Sequence, residues 1–326
     1  MKKLLVFIFI LCSMNGFAQT KELNLVSDVW PPFTNVETED SFAIDLVRDA
    51  LNRISIKTTV EISSFKNLIS TLNSGKYDGS AALWINDERE KEYNFSKPYL
   101  QNQLVLVGHK GIDVSAGSFS ELKGKRIGVI ENYAYGDKLY ANKDIIIVNG
   151  KNNQQNLEKL LTDKIDYMLV DALLIQYMLK YQVNDVTAYL EIGSKPLLIK
   201  SLHFVLRKDI KDSDEIITHF NEEIQKMIAD GTYHNILKLN WINADIDGDG
   251  NMEFVLRGQE AGLKAPTNSY GVSTETAGIM QIKRPDNYYI NGVMYHGWEN
   301  VPTHYKIEDN SPKYPSLNDQ LLRFKF

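Results

Sequence analysis

The chain has 326 residues, 43% of them hydrophobic, and a formal net charge of −6, so it is long enough for two compact units and carries no basic stripe for nucleic acid. Its only cysteine, Cys12, lies in the first few residues, which excludes a disulfide framework, a thiolate metal site and a cysteine nucleophile in the rest. Those first residues indicate the compartment. Lys2 and Lys3 precede the apolar run Leu4 to Leu11, and Gly16 and Ala18 are the small residues expected at −3 and −1. A signal peptide over 1–18, cleaved before Gln19, is therefore expected, and with it a periplasmic or secreted protein of net charge −8 once Lys2 and Lys3 leave. The run is well short of the ~20 residues that a membrane helix needs. Leu11, which is not small, argues against lipidation of Cys12.

From Leu23 to Leu239, strand and helix patterns alternate. Leu23 to Val26 reads as a strand, and Phe42, Leu46, Ala50 and Ile54 mark an amphipathic helix that Asp40 or Ser41 can cap. A strand at Thr59 to Ile62, a helix through Leu68 and Leu72 stopped by Gly75, and strands at Tyr77 to Leu83 and Gln103 to Val107 follow. The rhythm restarts with strands at Arg126 to Ile130 and Asp144 to Val148. A helix through Leu157 and Leu160, a strand at Tyr167 to Val170 and a helix at Leu173 to Leu179 come next, then a strand at Leu202 to Leu206. A long helix carrying Ile216, Phe220, Ile224 and Met227 closes the series. Two runs of alternating strands and helices indicate an α/β fold with two lobes and mostly parallel sheets. Beyond Asn243 helical periodicity stops, and Tyr288 to Tyr295 reads as a hairpin around Asn291-Gly292.

Six motifs between Lys21 and Trp241 occur in the order found in one known family. They are Trp30-Pro31-Pro32-Phe33, Ser74-Gly75-Lys76-Tyr77-Asp78-Gly79, and Glu88-Arg89 with Phe95-Ser96-Lys97-Pro98-Tyr99. Leu122-Lys123-Gly124-Lys125-Arg126-Ile127-Gly128-Val129, Lys164-Ile165-Asp166 through Asp171, and Asp230-Gly231-Thr232-Tyr233 complete the set. Each is weak alone, but together they resemble the family 3 extracellular solute-binding proteins, polar amino-acid receptors of ABC importers. The resemblance implies a two-lobed periplasmic-binding-protein type II fold. It places the solute-binding domain at 19–242, with one lobe from 19–102 plus 203–242 and the other from 103–202. Residues 243–326 are left as a small strand- and loop-rich extension. The implied partners are a small amino-acid-like ligand and an ABC transporter permease, with the binding protein a monomer.

By the same resemblance Arg89 stands at the carboxylate-binding arginine, a fork suited to two parallel charge-assisted bonds. The competing reading pairs it with Glu88, Glu90 or Glu92 on a charged surface. Asp171, at the carboxyl end of an apolar strand, stands where the family holds the ligand ammonium, although an aspartate there also caps a helix well. Trp30, Phe33 and Phe65 can stack on a ligand or simply pack in the core. Two departures bear on the ligand: Trp84 replaces a small hydroxyl residue, and Asn132-Tyr133-Ala134 replaces a Gly-Thr-Thr-like turn, so a narrower and more aromatic pocket is expected. If the cleft is open and Arg89 faces solvent, Arg89→Ala should barely change the melting of the unliganded protein.

Asp245, Asp247, Asp249, Asn251 and Glu253 place oxygens at alternate positions around Gly250, which suits a structural Ca²⁺; a plain acidic turn is the alternative. Leu256 stands where an EF-hand needs its bidentate acid, so the loop resembles the shorter calcium loops of β-structures. The competing functions are weaker. A dehydratase-like enzyme acting on a small carboxylate can share the fold, but the six histidines show no HExxH spacing and there is no G-x-S-x-G elbow. A binding protein, not an enzyme, is the expected function.

Overall fold

Strand β1 (Lys21–Asp28) starts the first lobe, and α1 (Phe42–Arg53) joins the core through the buried stripe Phe42, Leu46, Val47, Ala50 and Leu51. In the computed structural model, residues 21–36, 41–181, 186–237, 242–244, 246, 253–256, 270–271 and 287–306 are described. The expected signal peptide and the expected metal ligands Asp245, Asp247, Asp249 and Asn251 lie outside them. Ser41 stands at the amino end of α1 but does not cap it; its hydroxyl donates to the Asn35 carbonyl at 3.3 Å.

The chain continues through β2 (Ile56–Ser63), α2 (Phe65–Asn73), β3 (Gly79–Leu83), one turn of α3 (Arg89–Glu92) and β4 (Tyr93–Phe95). Ser64 caps α2, accepting from the Asn67 amide, and Gly75 ends it at a φ of 79° that favours glycine. β1 is paired in parallel with β2 along its whole length and with β3 at Leu25↔Gly79. β5 (Leu100–His109) then leads into the second lobe.

That lobe is β6 (Arg126–Ile130), α4 (Asp137–Tyr140), β7 (Ile146–Gly150), α5 (Asn153–Leu161), β8 (Tyr167–Asp171), α6 (Ala172–Tyr181) and β9 (Leu190–Ile192). β6 is parallel to both β7 and β8. β10 (Leu198–Arg207) returns to the first lobe, which α7 (Ser213–Asp230) and α8 (Thr232–Leu237) complete.

β5 and β10 are longer than the hydrophobic pattern predicts, because polar residues occupy the first half of each. Gln101, Asn102, Gln103 and Ser201 are all buried where the two strands run antiparallel, from Leu100↔Leu202 to Leu104↔Leu198. Beyond Leu202, β10 changes partner: His203 pairs with Leu83 of β3 and Val205 with Phe95 of β4. His203 is buried at this exchange, its Nδ1 2.8 Å from the Ser96 carbonyl, and burial pulls its pKa down to about 4. A neutral ring protonated on Nδ1 therefore donates to that carbonyl.

The extension forms its own sheet from β11 (Ile242–Ala244), β12 (Glu253–Leu256), β13 (Tyr270–Gly271), β14 (Asn287–Ile290) and β15 (Val293–His296), in the order β13-β11-β12-β14-β15. The Asn291-Gly292 turn has positive φ at both residues, 49° and 96°, as a two-residue hairpin of this type requires. Alternation along β12 ties the sheet down, since Val255 joins the main core while Phe254 packs with Tyr288, Ile290 and Val301. Among the described residues, no helix is long and apolar enough to cross a membrane.

Candidate functional site

Asp28 ends β1, Arg89 begins α3, and the turn Asn132-Tyr133 follows β6, so strand ends of both lobes meet at one place. This is where open parallel sheets place ligands. Arg89 is 9% exposed, which excludes the charged-surface reading. Its guanidinium is turned onto carbonyls: Nη1 donates to Trp84 O at 2.6 Å, and Nη2 to Asn132 O of the other lobe at 3.3 Å. The Phe65 ring lies beneath it, 5.5 Å from Cζ. Burial pulls the Arg89 pKa below the usual arginine value, opposed by Tyr93, Tyr133 and Asp28, yet a guanidinium stays charged.

Asp28 belongs to none of the sequence motifs, although it fits the same signal as Asp171: a carboxylate closing an apolar strand. It is buried and accepts from the Tyr133 hydroxyl at 2.6 Å. Burial raises its pKa, while the Tyr133 bond and the Arg89 charge oppose the rise. A third bond between the lobes runs from Asn35 Nδ2 to the Tyr177 hydroxyl at 3.2 Å.

Aromatic rings line the space between these charges. The Tyr133 ring stands 4.4 Å from Phe65, 5.3 Å from Trp84 and 5.9 Å from Trp30, measured between centroids, all near edge-on. Such tilted contacts suit the ring quadrupoles. Phe33 is fully buried behind Trp30 at 5.2 Å and acts as core. Tyr135 braces the turn, its hydroxyl accepting from the Ile130 amide. Lys200 of β10 holds its ammonium 5.7 Å from the Trp84 ring; burial, then the Arg89 charge, pulls its pKa down.

Little free space remains at the centre. A cavity of about 10 Å³, room for roughly one water, is enclosed by Asp28, Trp30, Trp84, Arg89 and Tyr133. Two larger cavities flank it: one of about 670 Å³ reaches Asp28, Phe65 and Tyr133, and one of about 520 Å³ reaches Phe65 and Arg89. Both are in the size range of small-molecule sites.

Asp171 sits apart from this cluster and lines none of the three cavities. It is 2% exposed, accepts from the Gln103 amide at 3.0 Å, and caps α6 by accepting from Leu173 and Leu174 at 2.8 and 3.3 Å. Burial raises its pKa to about 7, against the bonds from Leu173, Leu174, Asn102 and Gln103. Asn102 links it to the cluster, since Trp84 Nε1 donates to Asn102 Oδ1 at 2.7 Å. Of the expected metal ligands only Glu253 is described; it is fully buried and accepts from the Ile246 amide at 3.0 Å. Among the described residues, no group of three metal-ligating side chains gathers.

The comparisons with known proteins bear on the family and the fold. ABC transporter arginine-binding protein 1 of Escherichia coli (strain K12) is 26% identical over 243 residues, covering 72% of this chain and 97% of its own. The L-cystine-binding protein TcyJ of the same organism is 24% identical over 250 residues, covering 72% and 91%. An ancestral arginine-binding protein solved with arginine superposes with a TM-score of 0.56 at 25% identity, covering 67% of this chain and 96% of its own. The GluR0 ligand-binding core from Nostoc punctiforme, solved with L-glutamate, has a TM-score of 0.54 at 23% identity, over 66% and 97%, and supports the fold alone. The family model for bacterial extracellular solute-binding proteins, family 3, matches residues 24–244, and the chain belongs to that family of binding proteins rather than enzymes.

Proposed function

We propose that this protein captures a small amino-acid-like solute between its lobes and delivers it to the permease of an ABC importer, acting as a monomer in the periplasm or outside the cell after loss of residues 1–18. The observation that carries the reading is the buried Arg89 guanidinium facing the Asp28 carboxylate across an aromatic-walled space where the two lobes meet. A guanidinium recognises a planar carboxylate, and a buried carboxylate between rings recognises an ammonium or another cationic donor. Arg89 takes the solute carboxylate in this reading, with Trp30, Phe65, Trp84 and Tyr133 as walls. Asp171 holds the ammonium or orders the Gln103–Leu173 junction beside it. Names of relatives support basic or cystine-like amino acids as first candidates.

A thermal-shift panel of L-arginine, L-cystine, L-histidine and L-glutamate tests this. A solute at about a hundred times its Kd adds ~2.7 kcal/mol, which in a protein of this size raises Tm by roughly 5–10 °C. A flat response to the whole panel, extended to all standard amino acids, would remove the amino-acid reading.

The Asp245 to Glu253 loop is proposed to hold a structural Ca²⁺. Its ends are joined, because Ala244 of β11 pairs with Glu253 of β12. EDTA should lower Tm and millimolar-range Ca²⁺ restore it, whereas Mg²⁺ should substitute poorly because it gives up water reluctantly. Superimposable melting curves in EDTA and Ca²⁺ would make the loop an ordinary acidic turn.

A further inference from the structure

The two charged groups that face the central space are already engaged, and by the same turn. Asn132 presents its carbonyl to Arg89, and its neighbour Tyr133 presents its hydroxyl to Asp28. Asn132 adopts a positive φ of 65°, which fits the left-handed conformation that asparagine tolerates better than most residues. The Tyr140 hydroxyl donates to the Tyr133 carbonyl at 3.0 Å, and Tyr135 pins the start of the turn through the Ile130 amide. The turn is thus held in place by its own lobe while its two functional ends reach into the other.

We propose that Tyr133 is a built-in occupant of the cleft that sets which solutes enter it. This rests on the reading of the cleft as the solute site. The turn offers Arg89 an acceptor and Asp28 a donor carried on a flat ring, between Trp30, Trp84 and Phe65. With only about 10 Å³ free beside it, a solute reaches both charges only if Tyr133 leaves. A solute that displaces it must offer the same chemistry more strongly: a carboxylate for Arg89 and, for Asp28, a flat group with a hydrogen-bond donor, of which a guanidinium is the strongest form. A purely aliphatic amino acid has only its α-ammonium to offer Asp28 and no flat donor group to take the place of the ring, so it replaces the turn less completely. Trp84 serves the same selection by narrowing the space from the first lobe, held by its bond to Asn102.

The test uses the full chain with Cys12→Ser, and spin labels on Lys66→Cys and Lys151→Cys, two exposed positions on opposite walls of the larger cavity. Pulsed electron resonance reads their separation without any solute. Tyr133→Phe keeps the ring and removes only the hydroxyl that holds Asp28. It should raise the open-to-closed ratio about tenfold, the weight of one charge-assisted bond, and Tyr133→Ala should raise it at least as far. Titration with L-arginine should bind Tyr133→Phe more tightly than the parent, by up to tenfold, and L-leucine should gain most in Tyr133→Ala.

Unchanged separations in both variants would overturn the proposal whatever the solute. Weaker L-arginine binding by Tyr133→Phe would make Tyr133 a solute contact instead of a competitor, and would overturn it as well. If separations lengthen but neither amino acid binds any of the proteins, the occupant stands and the amino-acid reading fails.

Discussion

Replacing Asp171 with asparagine is expected to make the protein more stable than the parent at pH 8, with the gain vanishing on acidification. Burial raises the Asp171 pKa from 3.8 to about 7. Between those values the folded chain binds a proton that the unfolded chain does not. The contribution of this group is therefore fully present below pH 3.8 and is lost as pH rises through about 7. The whole difference is on the order of 4 kcal/mol, of which about 3 falls between pH 5 and pH 8. Asn keeps an acceptor for the Leu173 and Leu174 amides, so the helix cap survives while the slope goes; its NH2 group faces the Gln103 amide, a lost bond that offsets part of the gain at pH 8. Denaturant unfolding of both proteins at several pH values reads the effect, and parallel pH profiles would show that Asp171 is ionised in the fold throughout. Calorimetry with L-arginine near pH 7 separates its two readings. If Asp171 receives an ammonium, binding lowers its pKa and releases a proton, so the heat differs between phosphate and Tris; equal heats would confine Asp171 to the junction.

The second large effect is at Arg89. Arg89→Ala should weaken L-arginine binding about a hundredfold, the weight of a lost bidentate charge-assisted contact. The near-neutral effect on the unliganded protein, expected for an open cleft, does not hold in this structure. Arg89 is buried and bonded to Trp84 O and Asn132 O, so the substitution strands the buried Trp84 carbonyl, costs about 1–3 kcal/mol and removes one of the bonds between the lobes. Arg89→Lys, a point charge without the fork, should recover part of the stability and less of the affinity. Parent-like affinity in Arg89→Ala would remove the carboxylate clamp.

The fold was legible from sequence because its signals are local. Apolar spacing in α1 and α7, Gly75 and Gly231 after their helices, and the Asn291-Gly292 turn each report on their own segment. The full length of β5 and β10 is hidden in the sequence because buried glutamines, asparagine and serine interrupt their apolar pattern at the crossing, where strand pairing rather than hydrophobicity keeps them inside. The cleft was half legible. Residue type and motif position single out Arg89, Trp30, Phe65, Trp84 and Tyr133, and the structure gathers them around one small cavity. Asp28 is inconspicuous in the sequence because Ser27-Asp28-Val29 reads as a strand end running into a turn. No local pattern announces that a tyrosine about a hundred residues later meets it. Asp171 looked like a partner for Arg89 along the chain, but its nearest contacts are backbone amides.

The exchange of partners along β10 also bears on how the chain is assembled. β5 to β9 find their neighbours within one continuous stretch, closed by the first half of β10. β3, buried along its whole length, waits for the second half, which lies about 120 residues further on. A polypeptide growing from its amino end therefore carries a finished hydrophobic strand with one side unzipped while the rest of the protein is still being made. Such an edge invites pairing with the wrong chain. The early segment is thus the one that most needs shielding, and the one whose slow closure sets when the molecule becomes safe from aggregation.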